Sequence, residues 1–428
     1  MLSNPHPGVK RRDHTCIGHI PWPQIRKIRK IRRLTLAATM MVACVENDET
    51  EAEGDDLAEG DDSPTKGPDF EVRYRTNYVD IAPGFTQPVC RGSLEEIDRY
   101  VEAVADLLDI EVQNRTTLFW YNQNAVGSIA DNMEICSWCP GCGGCFNGAI
   151  HARHEGLYHE LVHAVVGPAW GRSDTLFGEG VAMGLDRIRG GYGSGISTIY
   201  DLDLLISTKP SDVAGSGQHG GAHFSRWLID RFGTAKFREM FDRLNTKSTK
   251  EEVFAAVEEV YSLPFEDLEA EFYATAPMAY PLPGLCEGHQ NIPWNGDRWE
   301  LDVSADCDEP HMIGPADDGG MLAVVTIDIP PEYVNEPLAV WIPSDVHVTA
   351  WPCIDQPMYD ADPALFEDLL ISNPPLGPVV FRMPGPHRIE VPVYESGRIY
   401  LRLCPDNGKW PGNYPLDTTI DPENCLGE

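Results

Sequence analysis

Gly156-Leu157-Tyr158-His159-Glu160-Leu161-Val162-His163-Ala164-Val165-Val166 is the stretch on which the fold turns. Its apolar positions predict a buried helix, and Gly167-Pro168 predicts the stop, Gly at the end and Pro just beyond. His159 and His163 are four apart, so on a helix both rings lie on one face and can ligate one ion. Glu160 lies about 100° round the helix from His159. From there its carboxylate reaches a water held by the ion rather than the ion itself. Two neutral imidazoles, a third protein ligand and a carboxylate that takes a proton from water are the parts of zinc-assisted hydrolysis.

The H-E-x-x-H pattern fixes only three positions, so its weight depends on a third ligand. A metzincin would continue H-E-x-x-H-x-x-G-x-x-H, but Val166 and Ala169 stand at the Gly and His positions, which excludes that family. Leu176-Phe177-Gly178-Glu179-Gly180-Val181-Ala182 offers Glu-Gly-x-Ala behind an apolar residue. With this second segment the chain resembles the gluzincin metallopeptidases, the thermolysin-like and M1-type zinc peptidases of clan MA. The resemblance implies Zn2+ held by His159, His163 and Glu179, with Glu160 as general base acting on a peptide or protein substrate. It also implies an α+β fold, a zincin-like catalytic domain of small sheet plus helical lobe. The fifteen residues between His163 and Glu179 suit a helix–loop–helix return. The G-x-M-E-N substrate-anchoring motif of the clan's aminopeptidases is absent, which counts against an aminopeptidase.

In the resembled clan a later helix begins near a Tyr or His that hydrogen-bonds the tetrahedral oxyanion. Gln218 to Gly233 carries the apolar stripe Phe224, Trp227, Leu228 and Phe232 and ends at Gly233, so it reads as a helix, and the resemblance implies that it is the corresponding one. His219 and His223 are the candidates, and His219, nearer the predicted start, is preferred as the second catalytic residue. His151 and His154 precede the motif and read as neutral surface or supporting histidines, because three better ligands exist. The competing reading is a non-catalytic surface lipoprotein that uses a gluzincin-like scaffold for binding. Glu160 argues against it, since a structural site has no use for a base there.

The net charge of −34 excludes nucleic acid as a partner, because phosphate binding needs a basic surface. The basic residues are unevenly placed. Arg26, Lys27, Arg29, Lys30, Arg32 and Arg33 precede the uncharged run Leu34 to Ala43, the pattern of a signal peptide. That run is too short to span a bilayer, which takes about 20 residues. Met41-Val42-Ala43-Cys44 resembles a bacterial lipobox with Cys44 as the lipidated residue, although Met41 stands where Leu is usual. The expectation is an exported, cell-envelope protein that touches the membrane only through a lipid anchor. Ten of the eighteen residues from Val45 to Asp62 are acidic, so no core forms there and like charges extend the chain. Residues 1–44 thus read as signal and lipobox, and 45–69 as a disordered tether.

From the tether onward, Phe70 to Tyr78 alternates as a strand, and Ser93-Leu94-Glu95-Glu96 reads as a capping box. Leu94, Ile97, Val101, Val104 and Leu108 follow at helical spacing, and Thr116 to Tyr121 is a β-branched, aromatic strand. Phe146 to Ala152 is the expected edge strand bordering the cleft, by position in the resembled fold. Helices are predicted over Thr234 to Leu244, Thr249 to Tyr261 with a second capping box, and Pro264 to Ala274. This completes a gluzincin-like domain over 70–278. Pro277, Pro281 and Pro283 mark a linker. Beyond it, Leu322 to Ile329, Leu338 to Ile342, Val379 to Met383, His387 to Val393 and Ile399 to Leu403 predict a C-terminal β-sandwich over 286–428.

Twelve cysteines occur, ten of them beyond the tether, and in an exported protein they predict disulfides. Cys136, Cys139, Cys142 and Cys145 form overlapping C-x-x-C units, for which disulfides are weighed ahead of a structural zinc and redox chemistry. Cys90 is a candidate partner for one of the four. Cys286, Cys307, Cys353, Cys404 and Cys425 are odd in number, so one either bridges to the catalytic half or stays free.

Overall fold

The computed structural model describes residues 70–122, 143–187, 202, 206, 216–341, 348–359, 379–393 and 397–405, and the side chains of 155, 216–219 and 339–341 stand outside that description. The expected signal segment, Cys44, the expected tether, Cys136, Cys139, Cys142 and Cys425 lie outside the described residues. Within this frame the protein is a mixed α and β structure with seven α-helices and three sheets among the described residues.

The first sheet contains β1 (Tyr74–Arg75), β2 (Val79–Pro83), β3 (Thr116–Tyr121), β4 (Gly144–Phe146) and β5 (Ile150–Arg153), in the order β1-β2-β3-β5-β4. β2, β3 and β5 are parallel, and β4 folds back antiparallel on β5 as the edge. The expected edge strand over 146–152 is therefore two strands with a turn between them. The strand expected from Phe70 to Tyr78 shrinks to Tyr74–Arg75 for a local reason. The Thr76 hydroxyl accepts from the Tyr78 and Val79 amides, and the Asp98 carboxylate accepts from those of Asn77 and Tyr78. These bonds make a turn of 76–78, and the regular strand starts after it.

Between β2 and β3 runs α1 (Arg91–Leu108), which buries Ile97, Tyr100, Val101, Val104 and Leu108 and ends on the left-handed Asp109. The capping box expected at Ser93 and Glu96 does not form. The helix starts earlier, after Cys90, and Glu96 is wholly buried inside it, paired with Arg187 and Arg388. A capping box needs its Glu near water and the helix end; this Glu is committed to buried cations instead.

Six helices follow: α2 (His154–Trp170), α3 (Thr175–Leu185), α4 (Ser216–Phe232), α5 (Thr234–Phe241), α6 (Lys250–Tyr261) and α7 (Phe265–Thr275). The predicted stop at Gly167-Pro168 is overrun by one turn. Pro168 forfeits one backbone hydrogen bond, but Trp170 inserts beside Phe237 and Phe241, and the Gly171 amide closes the helix on the Gly167 carbonyl at 2.9 Å. α6 opens with the expected capping box between Thr249 and Glu252. Among the described residues no helix is long and apolar enough to cross a membrane.

The C-terminal half contains β6 (Gln290–Ile292), β7 (Trp299–Ser304), β8 (Met312–Ile313), β9 (Met321–Ile329), β10 (Pro337–Trp341), β11 (Thr349–Pro352), β12 (Val379–Val380), β13 (Gly385–Val393) and β14 (Arg398–Pro405). One sheet runs β12-β10-β14-β7 and another β11-β13-β9-β6, with β8 paired to β9. Trp299, Leu301 and Leu401 from the first and Val325, Ile327 and Ile389 from the second belong to one buried apolar cluster. The proline-rich stretch before these sheets is packed rather than exposed. Ala279, Tyr280 and Leu282 are buried, and the Met278 amide bonds the Met358 carbonyl at 2.6 Å.

Disulfides join Cys90 to Cys307 and Cys286 to Cys353. Cys90 thus pairs with the C-terminal half rather than with the C-x-x-C run, and Cys307 is the bridging cysteine of the odd set. Cys145 and Cys404 are disulfide-bonded as well.

Candidate metal centre

α2 begins where the parallel strand β5 ends, so the sheet fixes its start. Leu157, Leu161, Val162 and Val165 face the core, which leaves His159 and His163 together on another face. The chain turns through 171–174, with Gly171 at φ 80°, and Asp174 caps α3 by accepting from the Leu176 amide at 3.0 Å. α3 then lies tight against α4. A Cβ on Gly180 would fall 2.7 Å from the Gly221 carbonyl oxygen, and one on Gly184 2.7 Å from that of Ala222. Glu179, beside the first of these glycines, is thereby brought to the two histidines.

The Nε2 atoms of His159 and His163 lie 3.1 Å apart. Glu179 places Oε2 3.3 Å from the first and Oε1 3.6 Å from the second. These three residues form a cluster whose donor atoms all lie within 4.8 Å of one another. Two nitrogens bound to one tetrahedral Zn2+ at about 2.0–2.1 Å would be about 3.3 Å apart, so two imidazoles and a carboxylate at this spacing fit that ion. Among the described residues the Nδ1 of His159 is buried without a hydrogen-bond partner, where ligating histidines usually donate to an oxygen.

The charges are coupled. Burial works against the Glu179 carboxylate, but His163 and the hydrogen bond from His159 outweigh it and hold its pKa far below the usual range. Burial likewise disfavours charge on His159, yet the bond to Glu179 and the fields of Glu160 and Glu179 lift it to about 9. Three groups so close need a shared positive charge, supplied by a proton or a cation. Glu160 is 5% exposed, and burial raises its pKa while the two histidines pull it down. Gly144 at the sheet edge sits directly over it: a Cβ there would come within 2.7 Å of the Glu160 Cγ.

The remaining histidines divide differently. His223 is engaged elsewhere, with Nε2 2.9 Å from the Pro277 carbonyl oxygen and its ring edge-on to Phe272 and Tyr280. Burial pushes its pKa down to about 4. His219 falls in the first turn of α4, and its side chain lies outside the described residues. His151 is buried rather than on the surface, stacked on Phe119 and 3.2 Å from the Tyr121 hydroxyl, and burial takes it down to about 4. Gly144 and Asp186 carry no signal in the sequence that points to the site. Asp186, fully buried just after α3, acts electrostatically on both His159 and Glu160. Nothing in its local pattern separates it from a surface Asp at a helix end.

Comparison with models of known protein families and with curated proteins finds no match for this chain.

Proposed function

We propose that this chain is an exported zinc-dependent peptidase of the gluzincin type, with its catalytic half zincin-like and its C-terminal half a β-sandwich. The observation that carries the reading is the convergence of His159, His163 and Glu179 within 4.8 Å, with the buried Glu160 next in sequence to one of them. His159, His163 and Glu179 are the residues that would hold the ion. When bound, Zn2+ supplies Lewis acidity that polarises the scissile carbonyl and acidifies water. Glu160 takes the proton of the attacking water and passes it to the leaving amine. β4, the antiparallel edge whose Gly144 lies on Glu160, offers backbone groups with which an extended peptide can pair.

Hydrolysis of a quenched peptide library tests the reading. Turnover should be abolished by a strong chelator and restored by about one equivalent of zinc. Turnover indifferent to the chelator, or none under any metal condition, rejects it. In the second case the binding-scaffold alternative, a lipid-anchored non-catalytic protein, takes its place.

A further inference from the structure

We propose that Asp317, contributed by the C-terminal half, is a positioning residue for the helix that carries both histidines and the base; the proposal rests on the peptidase reading above. The first four amides of any α-helix lack partners within the helix. Among the described residues, the cap position of α2 supplies no side-chain acceptor for them. Arg153, at the cap position, makes no side-chain cap bond, and Gly156 in the first turn is a weak helix former. The missing acceptor comes from 163 residues downstream, where Asp317 Oδ1 accepts from the His154 amide at 2.8 Å. A carboxylate there also complements the helix dipole. His159 and Glu160 are the sixth and seventh residues of this helix, within the two turns that the cap orders.

Asp317 is itself held. Its segment is fastened to the start of α1 by the Cys90–Cys307 disulfide and by the Arg91 amide, which donates to the Cys307 carbonyl at 2.8 Å. The Cys90 amide donates to the Gly314 carbonyl at 3.0 Å, and the Ser93 hydroxyl exchanges hydrogen bonds with both backbone groups of Gly314. The contact is close enough that a Cβ on Gly92 would fall 2.4 Å from the Met312 carbonyl oxygen. One strap from the C-terminal half, Cys307 to Gly320, therefore serves the starts of two helices, α1 and α2. The first turns of the metal-bearing helix are set from outside the helical half.

The test uses the full chain with Asp317→Ala and Asp317→Asn. Amide hydrogen exchange is followed over 154–163 and, as an internal control, over α6; zinc affinity is measured by chelator competition. Asp317→Ala should speed exchange over 154–163 about fivefold, leave α6 unchanged and weaken zinc binding about five- to tenfold. Asp317→Asn keeps an acceptor oxygen and should recover most of both. Unchanged exchange over 154–163, an equal rise in both helices, or unaltered zinc affinity would overturn the proposal. The peptidase reading fails by a different result, a wild-type chain that holds no zinc, and the exchange experiment still decides whether Asp317 orders the helix.

Discussion

The Glu96 carboxylate, buried in the middle of α1, accepts from Arg388 Nη1 at 2.7 Å across the boundary between the helical half and the C-terminal sheets. The same oxygen takes Arg187, which follows α3 and lies over the rings of Tyr100 and Tyr158 at 5.0 and 5.1 Å. Tyr158 adjoins His159. Two cations about one carboxylate, all with side chains at most 5% exposed, are tolerated only while each stays paired.

Arg388→Met should therefore cost about 3–5 kcal/mol, because it leaves a buried carboxylate with one cation and removes the donor to the Leu285 carbonyl. Urea denaturation of wild type and variant measures this. A loss below about 1 kcal/mol would mean the triad contributes little.

Acid should destabilise the protein over a defined range. His151, His223 and His387 are pushed down to about 4 by burial, and His289 to about 3 by burial and the adjacent Arg388. Their folded-state values lie below the unfolded value of about 6.5. Between these limits the unfolded chain binds more protons, so the stability these four rings contribute is full above about pH 6.5 and falls as pH drops toward 4. Glu96 is shifted the same way for stability: held low by Arg388 and Arg187 against its burial, it contributes above the ordinary carboxylate pKa and loses this in stronger acid. Denaturation midpoints at pH 7, 6 and 5 should decline steadily, and a flat profile would contradict the burial of these rings.

Gly144→Val should lower kcat/KM for peptide hydrolysis at least tenfold while zinc stays bound. The new side chain would collide with Glu160 Cγ and with the His151 carbonyl oxygen, 2.7 and 2.8 Å from the added Cβ. Kinetics together with elemental analysis read both quantities. Equal loss of zinc and activity would show that β4 supports the ligands rather than the base.

The candidate site was largely legible because helix spacing is local: four residues place His159 above His163, and a capped return brings Glu179 back within a short stretch of chain. The pattern before Glu179 also marked which carboxylate to choose. Other features depended on distant partners. Glu96 has the spacing of a capping box, and only the arrival of Arg187 and Arg388 from 91 and 292 residues away turns it into a buried anion. Pro168 looks like a stop until Trp170 finds Phe237 and Phe241. β6, β8 and β11 are strands of two to four residues, too short to show a period, and their pairing with β9 and β13 defines them. His223 had the same local credentials as His219, and the Pro277 carbonyl, 54 residues on, claims it.

Zinc content per chain tests the central claim most directly, measured by elemental analysis on wild type, Glu179→Ala and Glu160→Ala after identical dialysis. Wild type and Glu160→Ala should each retain about one zinc, since Glu160 is assigned to water and not to the ion, and Glu179→Ala should retain almost none. Zinc kept by Glu179→Ala, or missing from the wild type, would contradict a site built from His159, His163 and Glu179.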